Sequence, residues 1–122
     1  MDNDKILEQE ALNIAENAMK RDTLNDTMVI DSCIISGTSG NYLLYKLLDK
    51  YFPEKGFENS MNLWSKYTSE LLIRNNFFTI DRYTKNKKID LSVLEGLSGI
   101  CLSFEKFNDL WYEYVLLNLF SR

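Results

Sequence analysis

Few residues of this chain have the means to do chemistry, and most of them stand beside two copies of one turn. Cys33 lies just before a Gly-x-Ser-Gly turn at Gly37 to Gly40, and Cys101 follows a second such turn at Gly96 to Gly99. Four of the five glycines are therefore spent on one motif repeated at an offset of 59 residues. Glu95 immediately precedes the second turn. A cysteine thiolate is a nucleophile and a metal ligand, and a carboxylate within reach of a substrate is a general acid or base. Each group also has a purely structural use. Unpaired cysteines commonly pack as small buried hydrophobes, and a carboxylate before a helix commonly bonds the helix's first N–H groups. Those are the preferred readings for Cys33, Cys101 and Glu95, and no residue is assigned a catalytic role.

The turns themselves read as structural first. Glycine lets the backbone take a conformation or a close approach that a side chain would forbid. Ser39 and Ser98 can then cap the helices that follow by accepting a bond from an orphan N–H. If those helices converge on one mouth of the fold, Gly37, Gly40, Glu95, Gly96 and Gly99 also line whatever site lies there.

The elements that hold the turns are helices. Leu7, Ala11, Ile14, Ala15, Ala18 and Met19 recur at spacings of three and four and predict a first helix from Asp4 to Lys20. Asn25, Asp26 and Thr27 predict a turn. Leu43, Leu44, Leu47 and Leu48 predict a helix after Gly40, which Pro53 and Gly56 end. Met61, Trp64, Tyr67, Leu71 and Leu72 form the inward stripe of a third, from about Ser60 to Arg74. The aromatic and basic stretch from Asn75 to Leu91 reads as a long connection, and its Lys85, Lys87 and Lys88 as a solvated run able to meet an acidic peptide. Two further helices follow, the second carrying Trp111 and Tyr114 at the spacing of Trp64 and Tyr67.

At the 59-residue offset Leu43 matches Leu102 and Leu48 matches Phe107, besides the glycines and serines. One helix pair per repeat is the pattern of a solenoid or an α/α toroid. The expectation is an all-α fold: a partial α/α toroid of two helical-hairpin repeats, at about residues 33–75 and 92–121, plus an N-terminal helix, in a single domain spanning 1–122.

Composition narrows the classes. Fourteen basic against eighteen acidic residues give a net charge of -4 and no long cationic cluster, which argues against nucleic acid binding. The acidic start MDNDKILEQE is not a secretion signal, and no apolar run reaches membrane-spanning length. A cytoplasmic chain with two reduced thiols is expected.

The stretches SGTSGNYLLYKL and VLEGLSGICLSF, the latter followed by LWYEYVLLNL, resemble the closing repeats of the lanthionine synthetase C-like proteins, the cyclases of lanthipeptide biosynthesis. The resemblance spans nearly the whole chain but only about the last third of such a protein. It implies a toroid whose central zinc activates a precursor-peptide cysteine for addition to a dehydrated residue, closing a thioether ring. It also implies that the adjacent cysteine–histidine ligand pair of the family falls on Ile35 and Ser36. Isoleucine has no donor atom, a serine hydroxyl is a poor zinc ligand, and the chain has no histidine. Cys33, two positions away, is a ligand only as a second reading.

Two functions follow from these readings. One is a truncated or split cyclase-family protein, inactive alone, with no cofactor expected for this chain. The other is a noncatalytic helical module that binds a peptide or a biosynthetic partner subunit. Repeats taken from a ring leave apolar flanks, so self-association, or pairing with a chain that supplies the missing repeats, is expected. Collapse into a four- or five-helix bundle would instead bury Ile14, Leu43, Leu47, Trp64, Leu71, Ile100 and Leu102.

Overall fold

A computed structural model describes residues 3–81 and 83–105. Among these the chain is helical apart from one minimal two-stranded ladder. Helix α1 runs Asn3–Ala18, α2 is the single turn Leu24–Thr27, α3 is Thr38–Tyr51, α4 is Phe57–Arg74 and α5 is Leu97–Ser103. Strands β1 (Thr79–Ile80) and β2 (Lys87–Lys88) pair antiparallel, Thr79 opposite Lys88.

Helices α3 and α4 form the central hairpin. Between them Phe52, a 3-10 turn at Pro53–Lys55 and Gly56 at a left-handed φ of 78° reverse the chain. Proline cannot continue the helical hydrogen bonding and Gly56 accepts the positive φ without a Cβ penalty. Helix α4 therefore starts at Phe57, three residues before the spacing alone suggests. Tyr45, Phe57 and Trp64 meet Leu12 of α1 in the main core. A hydroxyl pair lies between the helices: Thr68 donates to the Trp64 carbonyl at 2.8 Å, which leaves its oxygen to accept from Thr38 Oγ1 at 2.8 Å.

The sequence misplaces the inner face of α1. Ile14 is 71% exposed, whereas Leu12 is 6% exposed and packs with Ala15 and Met19. The helix carries two apolar stripes roughly a third of a turn apart, and the aromatic surface of α3 and α4 packs on the one holding Leu12, Ala15 and Met19. Of the bundle core expected above, Leu43, Trp64, Leu71 and Ile100 are buried and Leu47 half-buried, while Leu102 is exposed. The predicted turn at Asn25 to Thr27 is α2, capped by Thr23, whose hydroxyl accepts from Asp26 N at 3.0 Å.

The predicted long connection contains β1 and β2, each too short to show a two-residue periodicity. It begins with a Schellman close to α4: Phe77 N–H bonds the Leu72 carbonyl at 2.8 Å and Asn76 N–H bonds Ile73 at 3.1 Å, with Asn76 at φ 52°. The final predicted helix, with Trp111 and Tyr114, lies outside the described residues, so only the first helix of the second repeat is described.

The two Gly-x-Ser-Gly turns open α3 and α5 in the same way. Gly37 and Gly96 are the N-caps, at φ/ψ of -120°/-174° and -122°/-174°. Thr38 N–H bonds the Asp31 carbonyl at 2.9 Å and Leu97 N–H bonds the Asp90 carbonyl at 2.8 Å, again 59 residues apart. Neither turn uses its serine as a cap: among the described residues no side chain caps either helix, Ser39 Oγ is buried without a hydrogen-bond partner, and Ser98 is exposed. The loop's own carbonyl does that work. Ser39→Ala is therefore expected to change stability by less than about 0.5 kcal/mol, against the roughly 1 kcal/mol lost with a capping serine, as read by urea denaturation.

Candidate functional site

The two turns meet. Ile35 N–H bonds the Leu94 carbonyl at 3.1 Å, and these two residues hold equivalent places in the two copies. Beside this bond lies a cleft of about 30 Å³, roomy enough for a water or two. Asp31, Cys33 and Ser36 come from the first turn, Ile80, Asp81, Tyr83 and Lys88 from the β-hairpin, and Glu95 from the second turn.

Each wall is tied to the next. The buried carboxylate of Asp31 accepts from Ile80 N at 3.0 Å, fastening the hairpin to the first turn. Lys88 Nζ lies 3.1 Å from Glu95 Oε2, 3.1 Å from Asp90 Oδ2 and 3.9 Å from Asp81 Oδ2, fastening it to the second. Asp81 also accepts from the backbone N–H groups of Tyr83 and Thr84, which with Lys88 holds its carboxyl below the usual value. Asp90 is likewise lowered, chiefly by its bonds to Ser92 and then by Lys88, while Lys88 is raised by Glu95 and Asp90. Cys33 sits 3% exposed with Sγ 3.6 Å from Ser36 Oγ. Burial pushes its thiol above the usual value; the Ser36 bonds oppose this, and the Asp31 charge adds to it. The protonated thiol is thereby favoured, and a thiol is a weaker nucleophile than its thiolate.

The sequence profile of the family described as "Lanthionine synthetase C-like protein" matches residues 2–113 of the 122. The chain belongs to the lanthionine synthetase C-like family. No curated protein and no solved structure is similar enough to match it. No helix among the described residues is long and apolar enough to cross a membrane.

Within that family identity, Gly37 and Gly96 are the N-caps already described, and Gly40 and Gly99 are close-packing positions. Ile35 and Ser36, which the resemblance aligns with the family's ligand pair, are both exposed, and Ser36 lines the cleft. Their donor chemistry does not fit zinc, since Ile35 offers no donor and Ser36 only a hydroxyl. Among the described residues no group of three or more Cys, Asp or Glu side chains is arranged to hold a metal ion.

Three expectations need correction here. Glu95 does not bond helix N–H groups but pairs with Lys88, because the hairpin brings a cation closer than the helix start. That makes Lys88 a buttress, not part of a solvated run, although Lys85 and Lys87 are exposed. Cys101 is exposed, unlike Cys33, because Ile100 and Ser103 take the inward face of α5. Sequence reasoning missed Asp31, Asp81 and Asp90. The signal for two of them was present: Asp31 and Asp90 stand at the 59-residue offset, each six residues before the first glycine of its turn.

Lys88→Met is expected to loosen the hairpin and speed alkylation of Cys33 several-fold in a Cys101→Ser background, read by mass spectrometry. Its pH signature follows from the shifts. The lowered Asp81 and Asp90 contribute stability above their ordinary value of 3.8, lost as pH falls through their lower folded values. The raised Lys88 contributes below its ordinary 10.5, lost as pH rises through its higher folded value. The Met variant should flatten the urea-midpoint profile at its alkaline end and only slightly at its acid end, where the bonds from Tyr83, Thr84 and Ser92 remain; an unchanged profile and an unchanged alkylation rate would mean that Lys88 holds nothing.

Proposed function

We propose that this chain is a truncated or split lanthionine synthetase C-like protein that supplies helical repeats to a cyclase-type toroid and does not close thioether rings by itself. One observation carries the reading. In the turn that resembles the family's metal-bearing loop, Ile35 and Ser36 stand in place of strong donors, and the neighbouring Cys33 is buried. The structural half of the unit is intact: two glycine-opened helices start side by side, joined through Ile35 and Leu94. In this reading the ligands and acid–base groups come from repeats outside these 122 residues, the precursor peptide is met by the completed ring, and the setting is cytoplasmic.

The test is a ring-closure assay. Thioether formation by addition leaves the peptide mass unchanged, so remaining cysteines are counted by alkylation and mass spectrometry. The chain alone should leave every cysteine of a dehydrated precursor peptide free. Ring closure on adding a polypeptide that carries the upstream repeats would identify a split cyclase. Ring closure by the purified chain alone would overturn the proposal.

A further inference from the structure

The largest cleft described lies on another part of the molecule, between α2, the carboxyl end of α4 and the β-hairpin, with a volume of about 490 Å³. That is within the range of small-ligand sites, about 300–1,000 Å³, and it admits two or three side chains. Val29, Ile30, Leu71 and Ile80 make an apolar floor. Arg74 and Lys85 stand at its edge with the amides of Asn25 and Asn75, and among the described residues no carboxylate lines it. In a chain with more acidic than basic residues, that concentration of cations over an apolar floor is a charge pattern with a complement. Arg74 is exposed in the last turn of α4 and, among the described residues, its side chain makes no ion pair or hydrogen bond. Its planar guanidinium is the donor geometry that carboxylates fit.

We propose that this groove binds a peptide segment that lays an apolar side chain on the Ile30 and Leu71 floor and sets an adjacent carboxylate against Arg74. Lys85 adds a second positive charge at the rim. Alternating apolar and acidic residues in an extended segment would supply both contacts. The inference stands apart from ring chemistry, so failure of the cyclisation assay and failure of the binding titration strike different claims.

The probe is a fluorescein-labelled peptide, Glu-Leu-Asp-Leu-Glu-Leu, titrated with the full chain at low salt and followed by anisotropy, with a counterpart in which lysine replaces each acidic residue. Saturable binding of the acidic peptide is expected, weakening as salt rises, with the lysine counterpart about tenfold weaker or worse. Arg74→Gln and Ile30→Asn, both at exposed positions, should each weaken binding about tenfold with unchanged circular dichroism. Absence of saturable binding, or binding indifferent to both substitutions, would overturn the proposal. So would concentration-dependent self-association that Arg74→Gln abolishes without peptide binding, because the occupant would then be a second copy of the chain.

Discussion

Gly99→Ala is expected to cost about 3 kcal/mol or more and to lower the melting temperature by roughly 10 °C. The reason is space, since Gly99 has no positive φ. A Cβ there would overlap the Val93 carbonyl oxygen of its own turn and sit 2.7 Å from Cδ1 of Ile34 in the other turn. The side chain could move aside, but the carbonyl belongs to the backbone loop that leads into the N-cap of α5. Gly40→Ala meets the same obstacle one repeat earlier, against the Ile34 carbonyl. Gly56→Ala is the contrast. Among the described residues nothing lies within 4 Å of its would-be Cβ, and only its φ of 78° resists substitution, at about 1 kcal/mol. Circular dichroism melts of the three variants check the ordering. Losses at Gly40 and Gly99 no greater than at Gly56 would show that the turns are not close-packed.

Trp64→Ala is expected to cost about 3–5 kcal/mol, which is a large part of the 5–15 kcal/mol that holds a typical domain folded. Trp64 is 2% exposed, sits edge-on to Tyr67 at 5.5 Å between ring centroids, and shares one cluster with Leu12, Tyr45 and Phe57. Removing the indole leaves a cavity bordered by three different helices, and none can collapse into it without shifting the hairpin. Trp64→Phe keeps most of the apolar volume and should lose less than half as much. Urea denaturation followed by far-ultraviolet circular dichroism reads both, and a Trp64→Ala variant as stable as the parent would place the core elsewhere.

Trp64 also shows how far the sequence reached. Its place in an inward stripe was legible because α4 carries a single apolar face. Helix α1 carries two, so periodicity located the helix but could not choose between Ile14 and Leu12; only the neighbouring aromatics make that choice. The doubled turn was legible for a related reason. Glycine is demanded wherever the backbone passes this close to a carbonyl, and that demand recurs at the same offset. Its serines misled, because their capping role is taken by the carbonyls of Asp31 and Asp90, and a backbone acceptor leaves no mark on residue type.

The candidate site was legible at its turns and not at its walls. Glu95 was placed correctly in sequence and given the wrong partner, since Lys88 reaches it through a ladder of two residues per strand that no pattern announces. Cys33 and Cys101 looked alike as unpaired thiols, yet the first is sealed beneath the hairpin and the second faces outward. Asp31 needed the repeat to be followed six residues upstream of the glycines, where it binds the hairpin through its side chain and α3 through its carbonyl.

Under the proposed function, the loop resembling the family's metal-bearing turn joins two repeats in this chain and holds no zinc. Zinc titration of the purified, reduced chain against a chromophoric chelator, with Cys33→Ser alongside, decides the matter. No stoichiometric zinc is expected in either protein. One tightly held zinc per parent chain, lost in Cys33→Ser, would contradict it.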